Sequence, residues 1–207
     1  MSVFLAILLL SVASGKPVLF NGTAAIVSKK VLTISDAYIY RAIVRFRDGE
    51  ASPIKLEQGE ELTRTVQKVV LQEIVLKEMQ SYKFVGTTRK VVEKWLQEEK
   101  EKGREKVWDS LAKTFEKAES EMVDRLWRQW QVEDFIQKKI DTLAPIVTEA
   151  EAQKYYKTNE VRFRGTSFET MKPNILTLLK KQETQKGLDE WIKSLKERYV
   201  VTNILGE

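Results

Sequence analysis

Three long stretches, 60–81, 119–143 and 170–198, carry large apolar residues at a spacing of three to four, and this spacing constrains the fold more than any other feature of the chain. In 60–81 the positions are Leu62, Val66, Val69, Val70, Leu71, Ile74, Val75, Leu76 and Met79, a face wide enough to meet more than one neighbour. In 119–143 they are Met122, Val123, Leu126, Trp127, Trp130, Phe135, Ile136 and Ile140, with Pro145 just beyond. In 170–198 they are Met171, Ile175, Leu178, Leu179, Leu188, Trp191, Ile192 and Leu195. Each stretch reads as an amphipathic helix whose apolar stripe needs a partner. With only nine Gly and four Pro the chain lacks the turns of an all-β protein, so the expected class is mainly α.

Shorter pieces fill the intervals. Tyr38, Ile39, Ala42, Ile43 and Phe46 recur at helical spacing after Ser35, which reads as an N-cap with Asp36 in the first turn, and Gly49 is placed to stop that helix. Thr88–Leu96 and Val107–Phe115 are two further amphipathic pieces, separated by QEEKEKGREK (97–106), ten residues without an apolar side chain. A turn at Gly103 is the preferred reading there over one long exposed helix. Thr148-Glu149-Ala150-Glu151 is a capping box opening a short helix through Tyr155 and Tyr156.

Strand-like composition occurs only at the two ends. Residues 24–34 place β-branched residues on both sides of Ser28-Lys29-Lys30, the pattern of a short hairpin or a bent strand, and 199–205 is a second β-branched run. A lone hairpin is marginal in water and a lone strand leaves its backbone unpaired. The economical solution is for 199–205 to add beside 24–34, fastening the ends of the chain together with the helices between them.

The chain has no Cys and no His. That excludes disulfides, thiolate metal sites and cysteine nucleophiles, and removes the commonest general base and metal ligand. No catalytic, cofactor-binding or metal-binding residue is assigned. The formal charge of +5 invites an anionic partner, but the 35 basic and 30 acidic residues are interspersed, as in KVVEKWLQEEKEKGREK (90–106), so a nucleic-acid partner is not expected. Lys154, Lys157, Arg162 and Arg164 are the densest basic group and read as a solvated face.

Residues 1–15, MSVFLAILLLSVASG, hold an apolar run too short to span a bilayer, ending in the small residues Ala13-Ser14-Gly15. The segment reads as a secretory signal peptide, with an uncleaved membrane anchor as the main alternative; cleavage leaves 16–207 as a single exported domain with no stable membrane insertion. Asn21-Gly22-Thr23 fits a glycosylation acceptor but reads as a turn.

In this order of elements the chain resembles the N-terminal chaperone domain of SurA-like periplasmic chaperones. The residues that carry the resemblance are AAIVSKKVLTISDAYIYRAIV (24–44), LTRTVQKVVLQEIVLKEMQ (62–80), APIVTEAEAQKYYKTN (144–159) and ILTLLKKQETQKGLDEWIKSLKERYVVTNIL (175–205). The family carries parvulin prolyl-isomerase domains between the last two segments; here only Glu160 to Ser167 stand between Asn159 and Phe168, and the parvulin histidines have no counterpart. The resemblance therefore implies an ATP-independent holdase for unfolded or outer-membrane-bound polypeptides in the periplasm, without isomerase activity. The alternatives are a dedicated docking or assembly subunit for one envelope partner, and a parvulin-type isomerase relative. Under the holdase reading Trp95, Trp108, Phe115, Trp127, Trp130 and Tyr155 are candidates to line a peptide groove; the spacing of the first five favours ordinary core, and of the adjacent Tyr155 and Tyr156 at most one faces the core. The sequence carries no signature of an oligomeric state.

Overall fold

A computed structural model describes residues 22–203. The signal-like segment 1–15, the Asn21 acceptor position and residues 204–205 of the expected terminal strand lie outside the described residues.

The terminal β-element forms as the sequence implies. Strands β1 (Thr23–Val27) and β2 (Lys30–Thr33) are a hairpin, with Ser28 at the turn in the left-handed region at φ 58°. Strand β3 (Val201–Asn203) pairs antiparallel with the other edge of β1, matching Val27 with Val201 and Ala25 with Asn203. The order is β2-β1-β3, so the central strand is the first one in the sequence. The Ser28 N–H donates to the Val200 carbonyl at 2.7 Å, extending the ladder past the strand. A register shift between Thr23 and Ala25 turns two consecutive side chains, Ala24 and Ala25, into the core. Both are small, and helix α2 (Gly59–Tyr82) packs directly over them.

Helix α1 (Ile34–Arg47) follows β2 without a linker. Its cap is Thr33, two residues before the expected Ser35. The Thr33 Oγ1 accepts the Asp36 N–H at 3.1 Å and the Asp36 carboxylate accepts the Thr33 N–H at 2.9 Å. Thr33 is the last residue with extended backbone, so Asp36 falls at the third helical position and can close the box, whereas Ser35 already lies inside the helix. The loop after α1 is held by a buried ion pair: Glu57 accepts from Arg45 Nη2 at 2.8 Å, from Arg41 Nε at 3.1 Å and from Thr65 Oγ1 at 2.5 Å.

Helices α3 (Arg89–Glu99) and α4 (Glu105–Thr114) are separated by a wide helical turn over Lys100–Arg104. Gly103 sits at φ +89° with open space where a Cβ would stand, so backbone conformation rather than crowding calls for glycine. Arg104 turns back onto Glu99 at 2.5 Å, onto the Phe46 carbonyl, and over the Phe46 ring at 4.1 Å. The apolar-free decad is thus a bend.

Helix α5 (Glu119–Leu143) serves two cores. Its first half places Met122, Val123 and Leu126 with α1, α3 and α4 around Trp108 and Phe46. Its second half places Val132 and Phe135 with the sheet, α2 and Leu195 of α7 (Phe168–Arg198). Helix α6 (Glu149–Thr158), with the predicted box of Thr148 and Glu151, packs on the first half of α7 through Ala152 and Ile175. Most of α7 from Lys180 to Lys186 is exposed, so a solvated stretch of helix joins this hairpin to the sheet end of the molecule.

The end of α7 is clamped. The buried Glu78 carboxylate of α2 accepts two hydrogen bonds from Arg198 Nη1 at 2.8 Å and one from the Tyr199 hydroxyl at 2.9 Å. Burial first, and then the Glu78 carboxylate, raise the Tyr199 pKa above its ordinary value, which keeps the phenol a donor. Deleting residues 199–207 removes β3, the edge cover of β1 and one donor to a buried carboxylate. We expect the unfolding free energy to fall by about 3 kcal/mol in urea denaturation followed by circular dichroism. An unchanged midpoint contradicts the clamp.

Candidate functional site

Among the described residues no helix is long and apolar enough to cross a membrane, and no three metal-ligating side chains converge. The surface hollows then decide where a ligand of any kind can sit. The hollow of about 200 Å³ between β2, α1, α2 and α5 is lined mostly by charged and polar residues, and their charges are largely spent on one another. Lys30 pairs with Glu73, Arg125 with Asp36 and Glu121, and Asp124 with Arg89 from α3. Burial works against the Asp36 carboxylate, but the Thr33 N–H and Arg125 outweigh it and hold its pKa below the ordinary value. Gln129 donates to the Tyr40 carbonyl at 3.1 Å and leaves its buried Oε1 without a protein partner.

A second hollow differs in kind. Tyr82 from the end of α2, Phe84, Phe135, Thr142 and the lysines 138 and 139 from α5, and Trp191 from α7 enclose a crevice of about 260 Å³. Phe135 is its floor, only 8% exposed, and its ring lies 6.1 Å from Tyr82, 5.0 Å from Phe84 and 6.1 Å from Trp191. Tyr82 stands on the rim at 65% exposure. Lys139 Nζ sits 5.6 Å from the Trp191 ring centre, at cation–π range.

Local backbone geometry places each wall. Lys83 adopts the left-handed conformation at φ 50° and ends α2, and the Phe84 N–H returns to the Met79 carbonyl at 3.1 Å. Gly86 follows in a tight spot: a Cβ there would stand 2.8 Å from the Phe84 ring and 2.9 Å from the Asp134 carboxylate. That carboxylate accepts the Thr87 N–H at 2.6 Å, and the Thr87 carbonyl accepts Trp127 Nε1 at 2.7 Å. The link from α2 to α3 is therefore pinned to α5 through both backbone groups of Thr87, with Phe84 pressed on Phe135. On the other side Leu143 meets α7 at Gly187, where a Cβ would stand 3.6 Å from Leu143 Cδ2, and the Glu78 clamp sets the end of the helix.

The six aromatics singled out in the sequence go elsewhere. Trp108 is fully enclosed and Phe115 nearly so, both in the core of α1, α3, α4 and α5. Trp95, Trp127 and Trp130 are half-buried at the edge of that core. Trp95 packs on Trp130 at 5.4 Å and Arg47 covers the Trp130 ring at 5.6 Å. Trp108 and Trp130 keep buried indole N–H groups without protein partners. Tyr155 lies apart on α6, beside the Tyr156–Phe163 stack. Five of the six thus share one core, and none lines the aromatic crevice. The crevice residues carried weaker signals: Trp191 on the stripe with Leu188, Ile192 and Leu195, and Phe84 in the short KFVG run (83–86) after a helix end.

No protein-family model, no curated protein and no solved structure matches the chain.

Core and crevice separate by mutation. Trp108→Ala is expected to cost about 3–5 kcal/mol of unfolding free energy, because it opens a cavity among fully packed neighbours. Tyr82→Ala, at an exposed rim, is expected to stay within about 0.5 kcal/mol. Equal losses in urea denaturation contradict the assignment.

Proposed function

We propose that this protein is an ATP-independent holdase of the periplasm that binds unfolded segments of other polypeptides at the aromatic crevice. The observation that carries the reading is the crevice itself, an apolar hollow between three helices with one exposed aromatic on its rim. The resemblance to the chaperone domain of SurA-like proteins and the signal-like residues 1–15 support the same assignment.

The physics suits holding rather than capture. Seating one large apolar side chain gives about 1.5–3 kcal/mol, against about 8 kcal/mol for micromolar affinity. One crevice of this size therefore grips weakly, and useful retention comes from several segments of one client engaging in turn. Rigid aromatic walls add contact area at low entropic cost. The interspersed surface charges keep the complex dispersed, and release follows from mass action when the client folds or inserts. The chemistry asks for no catalytic side chain and no cofactor.

Equimolar protein is expected to suppress aggregation of an unfolded outer-membrane protein diluted from urea without ATP, as read by light scattering. Trp191→Ala should remove most of that suppression. No suppression for any of several clients, together with tight binding to one folded envelope partner, would overturn the holdase in favour of a dedicated docking subunit.

A further inference from the structure

The crevice is chemically lopsided. Two cations, Lys138 and Lys139, line it, and no carboxylate does. The hollow between β2, α1, α2 and α5 mixes both signs among its lining residues. Among the described residues neither lysine has a carboxylate within ion-pair distance, whereas Arg125 on the same helix holds two and Arg47 holds Glu133.

Three acids on the helices that wall the crevice have other partners or positions. Asp134 receives the Thr87 N–H, Glu78 receives Arg198 and Tyr199, and Asp141 receives the Gln137 amide and does not line the crevice. Lys139 lies over Trp191, so a charge placed beside a seated apolar side chain meets an ammonium at the edge of a desolvated wall. The spacing on α5 puts Phe135, Lys138, Lys139 and Thr142 along one side of the helix, with the floor and the cations one turn apart.

Resting on the holdase reading above, we propose that the crevice selects extended polypeptide segments in which a large apolar side chain is flanked by aspartate or glutamate. The apolar residue seats on Phe135 between Phe84 and Trp191, and the flanking carboxylates pair with Lys138 and Lys139. Segments with flanking lysine or arginine are disfavoured by like charge. Selection of this kind acts on specificity and encounter rate more than on the depth of binding.

The test uses short fluorescein-labelled peptides with a central Phe flanked by Asp, by Asn or by Lys, titrated with the full protein and read by anisotropy. At low salt the Asp peptide should bind about threefold to tenfold tighter than the Asn peptide, and the Lys peptide should bind weakest. Raising salt should compress the order. Lys138→Glu with Lys139→Glu should invert it; where that variant is poorly folded, Lys138→Gln with Lys139→Gln should bring the Asp and Asn peptides to equal affinity. Equal binding of all three peptides by a protein that still suppresses aggregation overturns the charge selection and leaves the holdase standing. A preference unchanged by either variant overturns it as well. Failure of every peptide to bind, with no aggregation suppression, removes both.

Discussion

Everything at the sheet end of the molecule depends on β1 having two neighbours. The hairpin supplies β2, and the far end of the chain supplies β3. Three strands with one face on α2 are stable where a lone hairpin is not. The pairing fixes the end of α7 against α2, and the Glu78 carboxylate repeats the attachment with three hydrogen bonds from Arg198 and Tyr199. A buried carboxylate is costly unless satisfied, so this contact specifies one position of the helix end rather than adding much net stability. Trp191 stands about two turns before Arg198, and its place as a wall of the crevice follows from that anchoring.

Helix α5 carries the second dependence. One face of its first half completes a core around Trp108, and one face of its second half supplies Val132 and Phe135 to the core under the sheet. The link between α2 and α3 crosses it with Asp134 holding the Thr87 N–H and Trp127 holding the Thr87 carbonyl. Gly86 permits that crossing, because any larger residue meets both Phe84 and Asp134. The crevice is therefore bounded by packed helices and a pinned turn, which is the condition for a preformed site.

Much of the fold was legible in the sequence. The long periodic stretches became α2, α5 and α7, Gly103 became a bend, and the β-branched tail paired with the hairpin, because each rests on local patterning or on the need to satisfy an edge strand. The cap stands at Thr33, two residues before Ser35, because strand and helix abut there and only Thr33 keeps the extended backbone a cap requires. The crevice was not legible. Its walls come from residues as distant as Tyr82, Phe135 and Trp191, and only tertiary packing brings them together. The high aromatic density of 95–130 reflects a core built around Trp108.

Under the holdase proposal, unfolded chains touch the protein at the Tyr82–Trp191 crevice. Photo-crosslinking tests it most directly, with a photoreactive phenylalanine analogue at Tyr82, at Trp127 or at Tyr155, irradiated in the presence of an unfolded outer-membrane protein. A strong crosslink is expected from position 82, little from 127 or 155, and loss of the strong one in a Trp191→Ala background. Crosslinks concentrated at 127 or 155, with none at 82, would contradict it.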